Sequence, residues 1–189
     1  MTKSIILVGV GGQGTILASK LLTTGLMEAG YDVKMSEIHG MSQRGGSVSS
    51  QVRYGKNVQS SVIELGGADV LVAFEKMEAL RWLKYLKPEG KVVVNDYQIN
   101  SMPILSGKFD YPTGIVEELE SKVPTKVVDA ARLAKELGNL KVMNIILLGT
   151  IIKLMGLEEI QWDKIIRDNV KPQFVDINIK AIGAGMNLV

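Results

Sequence analysis

Two short stretches of this chain hold the residue types that could do chemistry. The first, Gly9-Val10-Gly11-Gly12-Gln13-Gly14, spaces its glycines as a dinucleotide-binding turn does. In that spacing Gly9 permits a tight turn, Gly11 lets a ligand approach the backbone, and Gly14 lets a following helix pack closely on its strand. Unpaired N–H groups at the helix start, together with the helix dipole, favour an anion there. Gly12 and Gln13 lie inside the same turn, so all five of these residues are candidates for contact with an anion or a partner. The glycines also suit a strand-to-helix turn that only packs.

The second stretch runs Ser36-Glu37-Ile38-His39-Gly40-Met41-Ser42-Gln43-Arg44-Gly45-Gly46-Ser47 and contains the only histidine of the chain. Glu37 and His39 are spaced so that the carboxylate could orient the imidazole. Arg44 could grip a carboxylate or phosphate with two parallel N–H groups. Gly45 and Gly46 allow a sharp turn and an accessible backbone beside it. Glu37, His39 and Arg44 are therefore the candidates for a chemical role, and Gly45 and Gly46 for binding. A polar loop folded on itself, with His39 satisfied by its neighbours, accounts for the same residues.

These stretches need elements to position them. Ser4–Val8 is a continuous apolar run, the sign of a strand covered on both faces. After the glycine turn the pattern becomes helical from Thr15 to about Ala29, with Leu17 and Leu21 in one row and Ala18, Leu22 and Leu26 in the next. Gly30 suits a left-handed cap. A second strand is expected over Val33–Ile38, so the second stretch leaves its carboxyl end, where ligands gather in open α/β sheets. Ser47–Tyr54 alternates apolar and polar residues and predicts a half-exposed strand. Gly55-Lys56-Asn57 predicts a turn, with Val58–Ile63 returning as a hairpin partner. Further on, Ala68–Phe74 reads as a buried strand, followed by a helix to Leu86 with Met77, Leu80 and Leu83 inward. Pro88-Glu89-Gly90 reads as a turn, Lys91–Asp96 as a strand and Asn100–Tyr111 as an irregular loop. Ile115–Lys122 reads as a short helix and Lys126–Val128 as a strand. Helices are expected over Ala130–Leu137, Val142–Met155, Trp162–Asn169 and Gln173–Ala184. The expectation is one α/β domain over residues 1–189: a mostly parallel, Rossmann-like sheet with helices on both faces, one antiparallel hairpin-like insertion and a helical C-terminal third.

Composition narrows the chemistry. With 46% hydrophobic and 22% charged residues the chain can fill a core and keep a charged surface. A formal net charge of +2, with Lys and Arg scattered, argues against nucleic acid as a partner. There is no cysteine, so no thiolate can hold an iron–sulfur cluster or a structural zinc. No spacing suggests a metal site. The first apolar run ends in glycines rather than a cleavage site, so it reads as a strand and not a signal peptide. The longest apolar stretch, Val142–Leu157, is interrupted by Asn144, Thr150 and Lys153 and falls short of the roughly 20 residues that cross a bilayer. A cytoplasmic protein without a membrane partner is expected. Asn144 reads as a structural residue that needs hydrogen-bond partners, Asp96 as a strand-end residue, and Trp82 and Trp162 as packing or subunit contacts.

Taken together, Val8-Gly9-Val10-Gly11-Gly12-Gln13-Gly14 and Ser36-Glu37-Ile38-His39-Gly40-Met41-Ser42-Gln43-Arg44-Gly45-Gly46-Ser47-Val48 resemble the small, gamma-type subunit of the 2-oxoacid:ferredoxin oxidoreductases. The Glu-Ile-His-Gly-Met-Ser-Gln-Arg-Gly-Gly-Ser form is most similar to the indolepyruvate branch, where this subunit is called beta. The resemblance extends over Ala68–Glu75, Lys91–Asn95 and Asn144–Gly149, and so covers nearly the whole chain. It implies a division of labour. A partner alpha subunit carries thiamine diphosphate, magnesium and iron–sulfur clusters, and this chain carries no cofactor and is inactive alone. The assembled enzyme converts an aryl pyruvate and coenzyme A to an aryl-acetyl-CoA and CO2, with ferredoxin taking the electrons. The missing cysteines, and the lack of a Gly-Asp-Gly segment of the thiamine-binding type, agree with that division.

Two other functions use the same residues. A free-standing NAD(P)-binding protein would pair the glycine turn with Glu37 on a ribose hydroxyl. A coenzyme A or anion-binding module would use the glycine turn and Arg44 without catalysis.

Overall fold

A computed structural model describes residues 2–39 and 45–189. Its centre is a six-stranded sheet in the order β2-β3-β1-β4-β5-β6, formed by β1 (Lys3–Val10), β2 (Asp32–His39), β3 (Ser47–Gly55), β4 (Ala68–Ala73), β5 (Leu86–Asn95) and β6 (Thr125–Val128). β1, β4, β5 and β6 are parallel neighbours, and β3 runs antiparallel to both β1 and β2. Five strands therefore point one way and β3 the other.

The apolar run of β1 explains its central place. Ile5 and Leu7 enter one core, and Ile6 and Val8 enter a second core on the opposite face, all without exposure. Burying each such side chain contributes on the order of 1.5–3 kcal/mol. The first core is covered by α1 (Thr15–Glu28), α5 (Ala130–Glu136), α6 (Met143–Met155), α7 (Trp162–Asn169) and α8 (Val175–Met186). The second is covered by α2 (Lys76–Trp82) and α4 (Ile115–Lys122). α6 is buried on all sides over Met143–Ile152 because the sheet, α1, α5 and α8 surround it. It crosses α8 at Gly149 and Gly185, where a side chain on either glycine would overlap the other helix's backbone. Among the described residues no helix is long and apolar enough to cross a membrane.

The α/β class, the helices on both faces and the helical C-terminal third match expectation. So does the cap of α1. Gly30 is left-handed, and the Tyr31 N–H reaches back to the Leu26 carbonyl at 3.1 Å. Leu17, placed inward by its row, is instead partly exposed, while Ala18, Leu21, Leu22 and Leu26 are buried.

The expected hairpin between Ser47–Tyr54 and Val58–Ile63 does not form. Val58–Ile63 forms no strand, and β3 pairs with β2 and β1 instead. Both edges of β3 are thereby used, leaving no ladder for a returning strand. Side chains bind the 58–63 segment in its place. Gln51 accepts from the Ile63 N–H at 2.7 Å, Asp32 accepts from the Val58 N–H at 2.8 Å, and Arg53 donates to the carbonyls of Ser60 and Val62. For the same reason β3 is buried on both faces rather than half-exposed. Pro88-Glu89-Gly90 is a bulge inside β5, since the pairing jumps from Ala68–Leu86 to Val70–Lys91. The 100–111 loop contains one helical turn, α3 (Met102–Leu105).

Candidate functional site

The parallel strands bring the glycine turn, Phe74–Glu75 and Asn95 to the carboxyl edge of the sheet, where the turn is braced from several sides. Gln13 folds back so that its Oε1 accepts from the Val10 N–H at 2.8 Å, while its Nε2 donates to the Phe74 carbonyl at 2.9 Å. Gly9 leaves room for that brace, since a Cβ there would lie 2.8 Å from Gln13 Oε1 and 3.0 Å from Phe74 Cβ. The Gly11 N–H donates to the Gly46 carbonyl at 2.9 Å. The two glycine motifs thus meet, because β3 lies beside β1 and extends its ladder past Val10 and Ser47.

Gly14 precedes α1 in a left-handed conformation, with no side-chain cap and no acidic residue in the first turn. The first N–H groups of such a helix have no partner within it. Beneath Gly14, Asn144 is 4% exposed and its Nδ2 donates to the Gly14 carbonyl at 3.1 Å, while its Oδ1 has no partner among the described residues. The turn thus supplies one of the hydrogen-bond partners that a buried asparagine needs. Above the turn, an open cleft of about 470 Å³ is lined by Gly11, Gly12, Gly14, Thr15, Ile16, His39 and Val48. Gly12 has a φ of 103° and open space where a side chain would stand. The apolar side chains Ile16 and Ile38 are half exposed at this edge. A second cleft of similar size, between the end of α1 and residues 156–161, contains none of the predicted site residues.

His39 and Glu37 stand at the end of β2 on the side facing α1. His39 lines the cleft, whereas the Glu37 carboxylate accepts a hydrogen bond from the Ser19 hydroxyl of α1 at 3.2 Å. Because β3 separates β2 from β1, Glu37 sits two strands from the glycine turn rather than on the adjacent strand that a ribose-binding acid requires. Gly45 joins Gly46 at the turn, its N–H donating to the Gly11 carbonyl at 3.5 Å. Gly40, Met41, Ser42, Gln43 and Arg44 lie outside the described residues. Asp96 forms an ion pair with Lys76 at 2.9 Å, and Trp162 is buried with its N–H on the Leu157 carbonyl.

Sequence reasoning missed the buried acids behind the turn. Glu75 is fully buried and caps α2, accepting from the Glu78 N–H at 3.0 Å, from the Tyr111 hydroxyl at 2.5 Å and from the Ile99 N–H at 3.3 Å. Burial, then the Glu75 carboxylate, push the Tyr111 phenol up, which keeps it a donor. Glu78 is 2% exposed and accepts from the Ser47 hydroxyl at 2.5 Å and from Arg81 at 2.7 Å. Burial pushes the Glu78 carboxyl above the ordinary glutamate range, against the pull of Ser47 and Arg81, and the Glu75 charge adds to the rise. Two glutamates three residues apart, just after an apolar strand, are a capping signal that could have located this pair.

The model of the pyruvate ferredoxin/flavodoxin oxidoreductase family matches residues 4–188. The chain belongs to this family. Among its relatives, indolepyruvate oxidoreductase subunit IorB of Thermococcus kodakarensis is 38% identical, with 97% of this chain and 94% of that protein covered. The subunit of the same name from Archaeoglobus fulgidus is 36% identical, covering 99% and 95%. The keto/oxoacid ferredoxin oxidoreductase gamma subunit of Geobacter sulfurreducens has the same fold, with a TM-score of 0.76 at 23% identity over 100% of this chain and 96% of its own. The 2-oxoglutarate:ferredoxin oxidoreductase of Magnetococcus marinus, solved with 2-oxoglutarate, coenzyme A and succinyl-CoA, matches at a TM-score of 0.77 and 20% identity. That match covers 99% of this chain and 31% of the larger one.

This chain is a component of a ferredoxin oxidoreductase, and its own residues limit which redox centre it could ligate. It has no cysteine, and the described residues contain no group of three or more His, Cys, Asp or Glu side chains that could hold a metal ion. An iron–sulfur cluster therefore does not fit it. What the family chain does offer is a braced turn, a helix start and a cleft along one edge of the sheet.

Proposed function

We propose that this chain is the small subunit of a cytoplasmic indolepyruvate:ferredoxin oxidoreductase. Its partner is an alpha subunit that carries thiamine diphosphate, magnesium and iron–sulfur clusters. The complex takes an aryl pyruvate, coenzyme A and oxidised ferredoxin to an aryl-acetyl-CoA, CO2 and reduced ferredoxin. The observation that carries this reading is near-full-length identity of 35–38% to four subunits named for indolepyruvate oxidoreductase.

In this reading the carboxyl edge of the sheet faces the partner subunit at the active centre. The start of α1 and Gly12 approach an anionic group, with a phosphate of coenzyme A or a carboxylate of the partner as the candidates. His39 and Val48 shape the opposite wall of the cleft, and Arg44 adds a guanidinium suited to a bidentate anion. The half-exposed Ile16, at the start of α1 and lining the cleft, suits an apolar rim that a partner covers.

The test is reconstitution with the thiamine- and cluster-binding subunit, followed by coenzyme A-dependent ferredoxin reduction with indolepyruvate, pyruvate and 2-oxoglutarate. Preference for indolepyruvate, and dependence on both chains, is the expected result. A complex that prefers 2-oxoglutarate or pyruvate overturns the assignment of substrate class.

A further inference from the structure

We infer that Glu78 and Ser47 are positioning residues that hold one wall of the glycine cleft from behind. This rests on the reading of the cleft given above. Ser47 begins β3, directly after Gly46, and is paired with Val10 at the end of β1. Its neighbour Val48 lines the cleft on the face of α1, while the Ser47 hydroxyl points the other way and donates to Glu78 Oε2 at 2.5 Å. Trp82 of α2 donates to the same hydroxyl at 3.4 Å, and Arg81 holds the other Glu78 oxygen at 2.7 Å.

These contacts fix more than one side chain. Ser47 is the first anchored residue after the Gly45–Gly46 pair, and Gly46 supplies the carbonyl that accepts from the Gly11 N–H at 2.9 Å. Displacing Ser47 therefore displaces Gly46, then Gly11, and with them the floor and one wall of the cleft. α2 is suited to the task because it packs on both β1 and β4 and is itself capped by the buried Glu75. The Glu75 carboxylate is in turn held by Tyr111 and by the Ile99 N–H. A buried acid that only stabilised α2 would need no serine from a strand 31 residues away.

The experiment has two readouts. Hydrogen exchange of the full chain follows the peptides that contain Gly11 and Gly46–Val48, with the β4 peptide as internal reference. Steady-state kinetics of the reconstituted complex follow kcat and the KM for coenzyme A. Ser47→Ala should speed exchange in the two marked peptides by roughly tenfold or more, as expected for a lost hydrogen bond to a charged group, and Glu78→Gln, which keeps an acceptor but loses the charge, should speed it by less. They should raise the KM for coenzyme A several-fold with kcat within about twofold. Ser47→Thr, which keeps the hydroxyl, should restore both. Unchanged exchange in the marked peptides overturns the inference, as does equal acceleration in β4, which marks a general loss of stability. Altered exchange with an unchanged KM also overturns it, provided that Gly12→Val in the cleft itself raises that KM. If Gly12→Val leaves the KM unchanged as well, the reading of the cleft fails and takes the inference with it.

Discussion

Two left-handed glycines in the turn allow backbone strain to be separated from occupancy. Gly12 has a φ of 103° and Gly14 a φ of 80°, so a β-carbon at either is strained, at a cost of about 1–2 kcal/mol. Their surroundings differ. A Cβ on Gly12 meets nothing within 4 Å, whereas one on Gly14 lies 2.5 Å from Asn144 Nδ2 and 3.1 Å from its Cγ. Asn144 cannot withdraw easily, because it is buried and tied to the Gly14 carbonyl. Overpacking there adds about 1–3 kcal/mol. Gly12→Ala should therefore cost the chain about 1–2 kcal/mol and Gly14→Ala about 2–5 kcal/mol. In a chain of this size each kcal/mol lowers the melting temperature by about 2–4 °C. Thermal melts of the chain check this order. In the reconstituted complex, Gly12→Ala should weaken coenzyme A use or assembly beyond its small effect on stability, since the open space beside Gly12 is where a phosphate or a partner's backbone would lie. Wild-type kinetics and assembly for Gly12→Ala would refute the argument and leave the turn with a packing role only.

Three further outcomes follow from other parts of the molecule. Gly185→Ala should destabilise the chain by about 1–3 kcal/mol or more, because its Cβ overlaps the Ile146 carbonyl where α6 and α8 cross, and denaturant unfolding measures it. Burial raises the Asp69 carboxyl, but Lys87 at 2.8 Å, the Ser4 N–H and Lys3 outweigh it and hold it below the usual range. Its contribution is thus present above about pH 4 and lost as pH falls through the depressed value. The stability advantage over Asp69→Asn, about 1–3 kcal/mol at neutral pH, should shrink in that acid window in pH-dependent melts. The purified chain alone should reduce neither ferredoxin nor a dye with any 2-oxoacid, and measurable reduction without a partner would contradict the division of labour.

Short-range patterns carry the turn and its flanking elements, though not every inward position of the helix, since Leu17 is partly exposed. The continuous apolar run of β1, the glycine spacing and the helical rows of α1 are short-range patterns, and they place the turn and its helix correctly. Patterns that depend on distant partners were not legible. The alternation over Ser47–Tyr54 normally marks one wet face, yet here, on the polar face, Ser47 binds Glu78 of α2 while Gln51 and Arg53 bind residues 58–63. That segment has no strand pattern because Gln51, Arg53 and Asp32 satisfy its backbone in place of a ladder. Alternation thus reports which side chains are polar, and exposure follows only if nothing can hydrogen-bond to them.

The same limit applied to the site. Glu37 is near in sequence to the glycine turn and looked like its partner, but the antiparallel β3 stands between them and leaves the carboxylate on Ser19. Gly46 is farther away in sequence and touches the turn directly. Strand order, which no local spacing encodes, decides which of the two belongs to the site. The family resemblance paired the two glycine motifs where the spacing of residues could not, because a whole-chain match carries strand order along with its motifs. The capping spacing marks Glu75 and Glu78 as a pair, but not the partner that Glu78 takes. That partner is a hydroxyl from β3, and only the assembled geometry brings Ser47 to the helix that carries Glu78.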